Sequence, residues 1–111
     1  MTARFWIYWN GGVVKVTLAP GESFELSESH PTDEGYSATY ERYEHAGDCV
    51  VREISHSGRD CDGGHGEHRE EEARMDALSD VFNEYVGISY PAWQTLRPTR
   101  CYDQFAQMAG Y

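Results

Sequence analysis

No apolar run in the chain approaches the ~20 residues a helix needs to span a bilayer. The opening residues, MTARFWIYWN, hold one arginine and a short aromatic run, without the long apolar stretch of a signal peptide. Basic residues are scarce: Lys and Arg number 9 against 19 Asp and Glu, a formal charge of -10. A chain this acidic is repelled by nucleic acid and by anionic membrane surfaces, so neither is expected as a direct partner. Cysteines are few, at positions 49, 61 and 101. An odd count at irregular spacing argues against a disulfide framework and is expected of a reducing cytosol. There is no nucleophile elbow, no phosphate-cradling glycine loop and no HExxH, so no enzyme is expected and no cofactor is implied.

What is present is aromatic and β-like. Eight Tyr and three Trp in 111 residues exclude a disordered chain, and the length suits one domain, residues 1–111, with a real core. The stretch from Tyr36 to Gly64 organises the rest. Two β-type runs flank Ala46-Gly47-Asp48, which predicts an antiparallel hairpin. The second run leads into Gly58-Arg59-Asp60-Cys61-Asp62-Gly63-Gly64, which reads as a polar loop. Ahead of this hairpin, Arg4 to Trp9 and Val13 to Leu18 alternate around Asn10-Gly11-Gly12, a turn whose residues accept positive φ cheaply. Ala19-Pro20-Gly21-Glu22 turns the chain again, and Ser23 to His30 alternates once more.

The second half mixes signals. His65 to Arg74 is rich in Glu and Arg, which favours helix by propensity, yet its place in a meander favours one more strand. We read it as a strand. Met75, Leu78, Phe82 and Tyr85 stand at helical spacing, predicting an amphipathic helix over 75–86 that Gly87 ends. Tyr102, Phe105 and Met108 suggest a short last helix over 99–108. The expected fold class is therefore α+β: an antiparallel β-meander of five or six strands with a C-terminal helical segment packed on it. Phe5, Ile7, Val14, Val16, Leu18, Val50 or Val51, Leu78 and Phe82 are the expected core.

Three kinds of site are open to this composition. Cys61, His65 and His68 are ligand-type residues close together, and Asp60-Cys61-Asp62-Gly63 is similar to the opening of a calcium loop. No paired CxxC or HxxxH accompanies them, and the distal Glu of a calcium loop is missing, so Asp60 and Asp62 are expected to form a turn and hold no metal. A catalytic pairing of Cys49 or Cys61 with a histidine can be assembled on paper but has no motif behind it. The third kind is the acidic surface. Between Glu22 and Asp48 there are eight carboxylates against Arg42 alone. Strands hold side chains of one face ~6.5–7 Å apart, close to the phosphate spacing along one nucleic-acid strand. Glu25, Glu28, Asp33, Glu34, Glu41 and Glu44, with Tyr36 and Tyr40 adding aromatic area, are the expected contact surface for a basic, nucleic-acid-binding protein.

The pieces Thr32-Asp33-Glu34-Gly35-Tyr36-Ser37 and Asp60-Cys61-Asp62-Gly63, with a hairpin between them, resemble a widespread group of small uncharacterised bacterial and phage proteins. In size and acidity the chain is similar to phage-encoded anti-defence proteins, the anti-CRISPRs among them. That likeness implies a non-catalytic inhibitor of a nucleic-acid-binding host complex, working by nucleic-acid mimicry. It assigns no residue a role. The alternative is a small metal-binding domain or metal-dependent enzyme built on the Asp60–His68 region.

Overall fold

The computed structural model describes residues 1–33, 35–60, 63–96 and 100–102, with residues 60 and 100–102 described by backbone alone. Glycine and proline set the turns where the sequence places them. Trp9 pairs with Gly12, leaving Asn10 (φ 51°) and Gly11 (φ 76°) as a two-residue turn between β1 (Ala3–Trp9) and β2 (Gly12–Leu18). Positive φ at both central residues matches the right-handed twist of the strands it joins. At the next turn the Glu22 amide donates to the Ala19 carbonyl at 2.9 Å, with Pro20 and Gly21 (φ 86°) inside.

This second turn does not continue the meander. It carries the chain into another sheet. β3 (Ser23–Thr32), β4 (Gly35–His45), β5 (Cys49–Asp60) and β6 (Gly63–Arg74) pair antiparallel in sequence order. β1 and β2 instead join β7 (Phe82–Asn83) and β8 (Ile88–Ser89) in a smaller sheet of order β2-β1-β8-β7, where β8 runs parallel to β1. β9 (Gln94–Thr95) and β10 (Arg100–Tyr102) both lie against β6. The residues 65–74, ambiguous by propensity, are strand. The loop expected over residues 58–64 is largely strand too, since Asp60 pairs with Gly63 across residues 61 and 62.

The expected α+β class is overturned. Among the described residues the protein is nearly all β, in two sheets, and the helix predicted over 75–86 is a single 3₁₀ turn at Ala77–Ser79 followed by the β7–β8 hairpin. The reason lies in the polar residues between the apolar ones. Asp76 Oδ1 accepts from the Ala77 amide at 2.9 Å, and Ser79 Oγ donates to the Asp76 carbonyl at 2.7 Å, which closes one turn on itself. Asn83 Oδ1 then accepts from the Tyr85 amide at 3.1 Å, and the Asn83 carbonyl accepts from Gly87, which sits at φ 69°. Asp, Ser and Asn side chains thus satisfy the backbone in turns and outcompete the helix that the apolar spacing suggests. Of the last helix expected over 99–108, residues 100–102 are strand and residues 103–108 lie outside the described residues. Among the described residues no helix is long and apolar enough to cross a membrane.

The core lies between the small sheet and one end of the large one. Ala3, Phe5, Ile7, Val16 and Leu18 pack with Tyr43, Val50 and Leu78, and Val14, Phe24, Leu26, Met75 and Trp93 close its sides. Phe5, Tyr43 and Trp93 form a ring cluster with centroids 5.7 to 6.2 Å apart. His45 is buried here. Its Nδ1 accepts from the Gly47 amide at 3.0 Å, so Nε2 carries the proton and donates to the Met1 carbonyl at 2.5 Å. Expected core residue Phe82 is instead 54% exposed on the β7–β8 hairpin.

The long strands run well past the small sheet, and the molecule measures 47 × 27 × 20 Å. On the face that carries Tyr43 and Val50, the far end bears Glu28, His30, Thr39, His56, His65 and Glu67. Gly58 leaves room there for the His65 ring of β6: a Cβ would stand 3.0 Å from it, a tight contact.

Candidate interaction surface on the large sheet

Strand side chains alternate between faces, so the buried face of the large sheet fixes the other. Tyr43, Val50 and Ala73 point at the small sheet. Register then places Ser23, Glu25, Ser27 and Ser29 of β3 on the outer face, with Tyr36, Ala38, Tyr40, Arg42 and Glu44 of β4. From β5 and β6 it adds Val51, Glu53, Ser55, Ser57 and Arg59, and Glu72, Glu70, His68 and Gly66. No element among the described residues pairs with β3 on its outer edge.

Two cross-strand rows concentrate charge. Glu25, Arg42, Glu53 and Glu70 stand directly opposite one another in turn, and beside them run Ser23, Glu44, Val51 and Glu72. Arg42 Nε lies 3.5 Å from Glu25 Oε1 and its NH1 3.1 Å from Glu44 Oε2, which holds the guanidinium above its ordinary value. Glu53 faces Glu70, a like-charged pair of the kind that costs a sheet stability. His68 Nε2 is 3.9 Å from a carboxylate oxygen of each, and its Nδ1 is 2.9 Å from Ser55 Oγ.

Next to these rows the side chains shrink. Ser27, Ser29, Ala38, Ser55 and Ser57 floor an open depression of about 270 Å³ beside Tyr40. The Tyr40 phenol is pushed above its ordinary value, first by partial burial and then by its hydrogen bond to Glu25 and the nearby carboxylates, so it stays neutral and able to donate.

The eight residues expected to form the contact surface divide. Glu25, Tyr36, Tyr40 and Glu44 share the outer face. Glu28 and Glu41 point to the opposite face, where Glu41 Oε1 accepts from the Tyr43 hydroxyl at 3.1 Å and Glu28 lies 3.9 Å from His30 Nδ1. Asp33 is exposed in the turn after β3, and Glu34 lies outside the described residues. Glu53, Glu70, Glu72 and His68 were not in the expected set. The signal for them was period two through 65–74, which puts Glu70 and Glu72 on one face and Glu71 on the other.

The alternative site also divides. His65 and His68 are three residues apart on β6 and so lie on opposite faces of the sheet. They cannot ligate one ion. The side chains of Asp60, Cys61 and Asp62 lie outside the described residues, and among the described ones no group of three His, Cys, Asp or Glu is placed to hold a metal. Cys49 is half-buried, and burial, with Asp48 and Glu72 nearby, pushes its thiol up, away from nucleophilic character.

No family model matches the chain, and no curated protein or solved structure matches it either.

Proposed function

We propose that the chain is a non-catalytic acidic binding protein. Its outer large-sheet face engages a basic, nucleic-acid-binding protein and occupies a groove meant for phosphates. One observation carries this reading: Glu53 and Glu70 oppose each other across β5 and β6, within a face that also presents Glu25, Glu44 and Glu72. Like charges set directly opposite are unfavourable for the fold, and such local conflicts gather where a surface has work besides folding. The carboxylates sit on hydrogen-bonded strands, so the backbone that carries them needs no ordering on binding. Along β6, Glu70 and Glu72 stand ~6.5–7 Å apart, which approximates phosphate spacing. An inhibitor of the phage-encoded anti-defence type would work in this way.

The test compares wild type with a variant carrying Glu25→Lys, Glu44→Lys, Glu53→Lys and Glu70→Lys. Wild type is expected to capture a nucleic-acid-binding protein that added oligonucleotide displaces and that salt weakens, because exposed charges are screened within ~8 Å at physiological ionic strength. The variant, folded by circular dichroism, is expected to lose it. Equal capture by both proteins, or capture indifferent to oligonucleotide, would remove the acidic face from the function.

A further inference from the structure

The outer face of the small sheet has a different chemistry. β1 presents Arg4, Trp6 and Tyr8 outward, and β2 sets Lys15 opposite Trp6 and Val13 opposite Tyr8. Between these strands and the β7–β8 hairpin lies a groove of about 330 Å³, lined by Trp6, Tyr8, Val13, Lys15, Asn83, Val86 and Ile88. Trp6 is packed edge-on by Tyr8 at 5.0 Å and against Tyr90 at 4.6 Å, so its position is fixed. Tyr8 is 64% and Val13 56% exposed, a contiguous apolar surface that is costly to leave in water.

Charge selects what fits there. On a chain of formal charge -10, the groove lining holds, among the described residues, no carboxylate and one ammonium, that of Lys15. A second cation stands at its other wall: the Arg4 guanidinium reaches Gly87, between Val86 and Ile88, where a Cβ would lie 3.6 Å from its NH2. The volume falls at the small end of the ~300–1,000 Å³ range of ligand pockets, which are typically apolar with a few placed polar groups.

We propose that this groove is a binding site for a small planar aromatic carboxylate. The ring lies against Trp6 and Tyr8, where offset and edge-on aromatic contact adds to the burial of apolar area. The carboxylate faces Lys15. Asn83 offers an amide from the opposite wall, on the β7–β8 hairpin. The site is separate from the acidic face of the large sheet and does not depend on it.

A matched trio of probes tests the proposal: 2-naphthoate, 2-naphthylmethanol and 2-naphthylmethylammonium, titrated by calorimetry and by amide chemical shifts. Naphthoate is expected to bind with one saturable site, shifting β1 and β2 amides, about fivefold more tightly than the neutral alcohol and more tightly still than the cation. Lys15→Met, which keeps the apolar stem, is expected to bring naphthoate down to the alcohol's affinity and leave the alcohol unchanged. Val13→Asp, at an exposed position, is expected to reverse the order in favour of the cation. Absence of saturable binding, equal affinity for all three probes, or a Lys15→Met variant that still prefers the anion would overturn the proposal.

Discussion

Arg52 and Glu71 form an ion pair across β5 and β6 at the junction of the two sheets, with side chains 15% and 8% exposed. The guanidinium lies 4.5 Å from the centre of the Trp93 ring, and Arg69 Nε approaches the other Glu71 oxygen at 2.9 Å. One carboxylate therefore answers two buried or half-buried cations. Removing it strands both. Glu71→Ala is expected to cost about 3–5 kcal/mol in urea denaturation, the range for breaking a buried pair from one side. Replacing Arg52 by Met and Glu71 by Leu together is expected to cost less, because it removes the more buried cation and leaves Arg69, 34% exposed, to water. A double variant as unstable as the single one would show that Arg52 is not what Glu71 holds in place.

The apolar residues of the 75–86 stretch are expected to separate sharply. Leu78 is 5% exposed and belongs to the core, whereas Phe82 is 54% exposed. Leu78→Ala should cost about 2–5 kcal/mol. Phe82→Ala should shift stability by no more than ~0.5 kcal/mol, as exposed substitutions usually do. Denaturant midpoints of the two variants decide the matter. A large loss at Phe82 would restore it to an interior position.

That contrast shows where the sequence was legible. The strands from Arg4 to Ser57 follow from period-two alternation and from Asn10-Gly11, Pro20-Gly21 and Gly47, because those signals are local; residues 65–74 were legible as strand only from their place in the meander, and 58–64, expected as a loop, are largely strand. Which strands share a sheet is not local. Nothing in Leu18 to Ser23 distinguishes a turn that continues a sheet from one that leaves it. Tyr43 and His45 were hidden as core because they alternate with charged residues on a strand whose far end is polar on both faces. The helix over 75–86 was misread because i, i+3, i+4 spacing counts apolar residues alone, while Asp76, Ser79 and Asn83 decide the backbone. The outer acidic face was half legible: β3 and β4 supplied Glu25 and Glu44, but Glu53 and Glu70 emerge when β5 and β6 are placed in register.

Alkaline pH should weaken the fold through Tyr43. Burial pushes its phenol well above the ordinary value, and the Glu41 carboxylate adds to the effect. In the unfolded chain the phenol releases its proton near pH ~10. Above that the unfolded state binds fewer protons than the folded one, so stability falls as pH rises. Tyr43→Phe loses the hydrogen bond to Glu41 and should be less stable at pH 7 by ~1 kcal/mol. Its stability should nevertheless decline less steeply above pH ~10, so the two curves converge. Midpoints measured from pH 7 to 11 that stay parallel would show that Tyr43 ionises as freely in the fold as outside it.

The Glu53–Glu70 opposition makes stability and binding pull against each other. Directly opposed like charges on a sheet are unfavourable by ~0.2–1 kcal/mol. Glu53→Gln keeps the shape and removes one charge. It is expected to raise stability by a few tenths of a kcal/mol, since it removes one of two directly opposed like charges. The gain should shrink as salt rises, since screening weakens the repulsion that the substitution removes. If the acidic rows are the contact surface, the same variant should capture its partner more weakly, with the loss mainly in the association rate. Denaturation at two salt concentrations, set beside association kinetics, measures both effects on one protein. A stabilised variant that binds as fast as wild type would mean that the opposed carboxylates serve solubility, and the contact surface would have to lie away from β5 and β6.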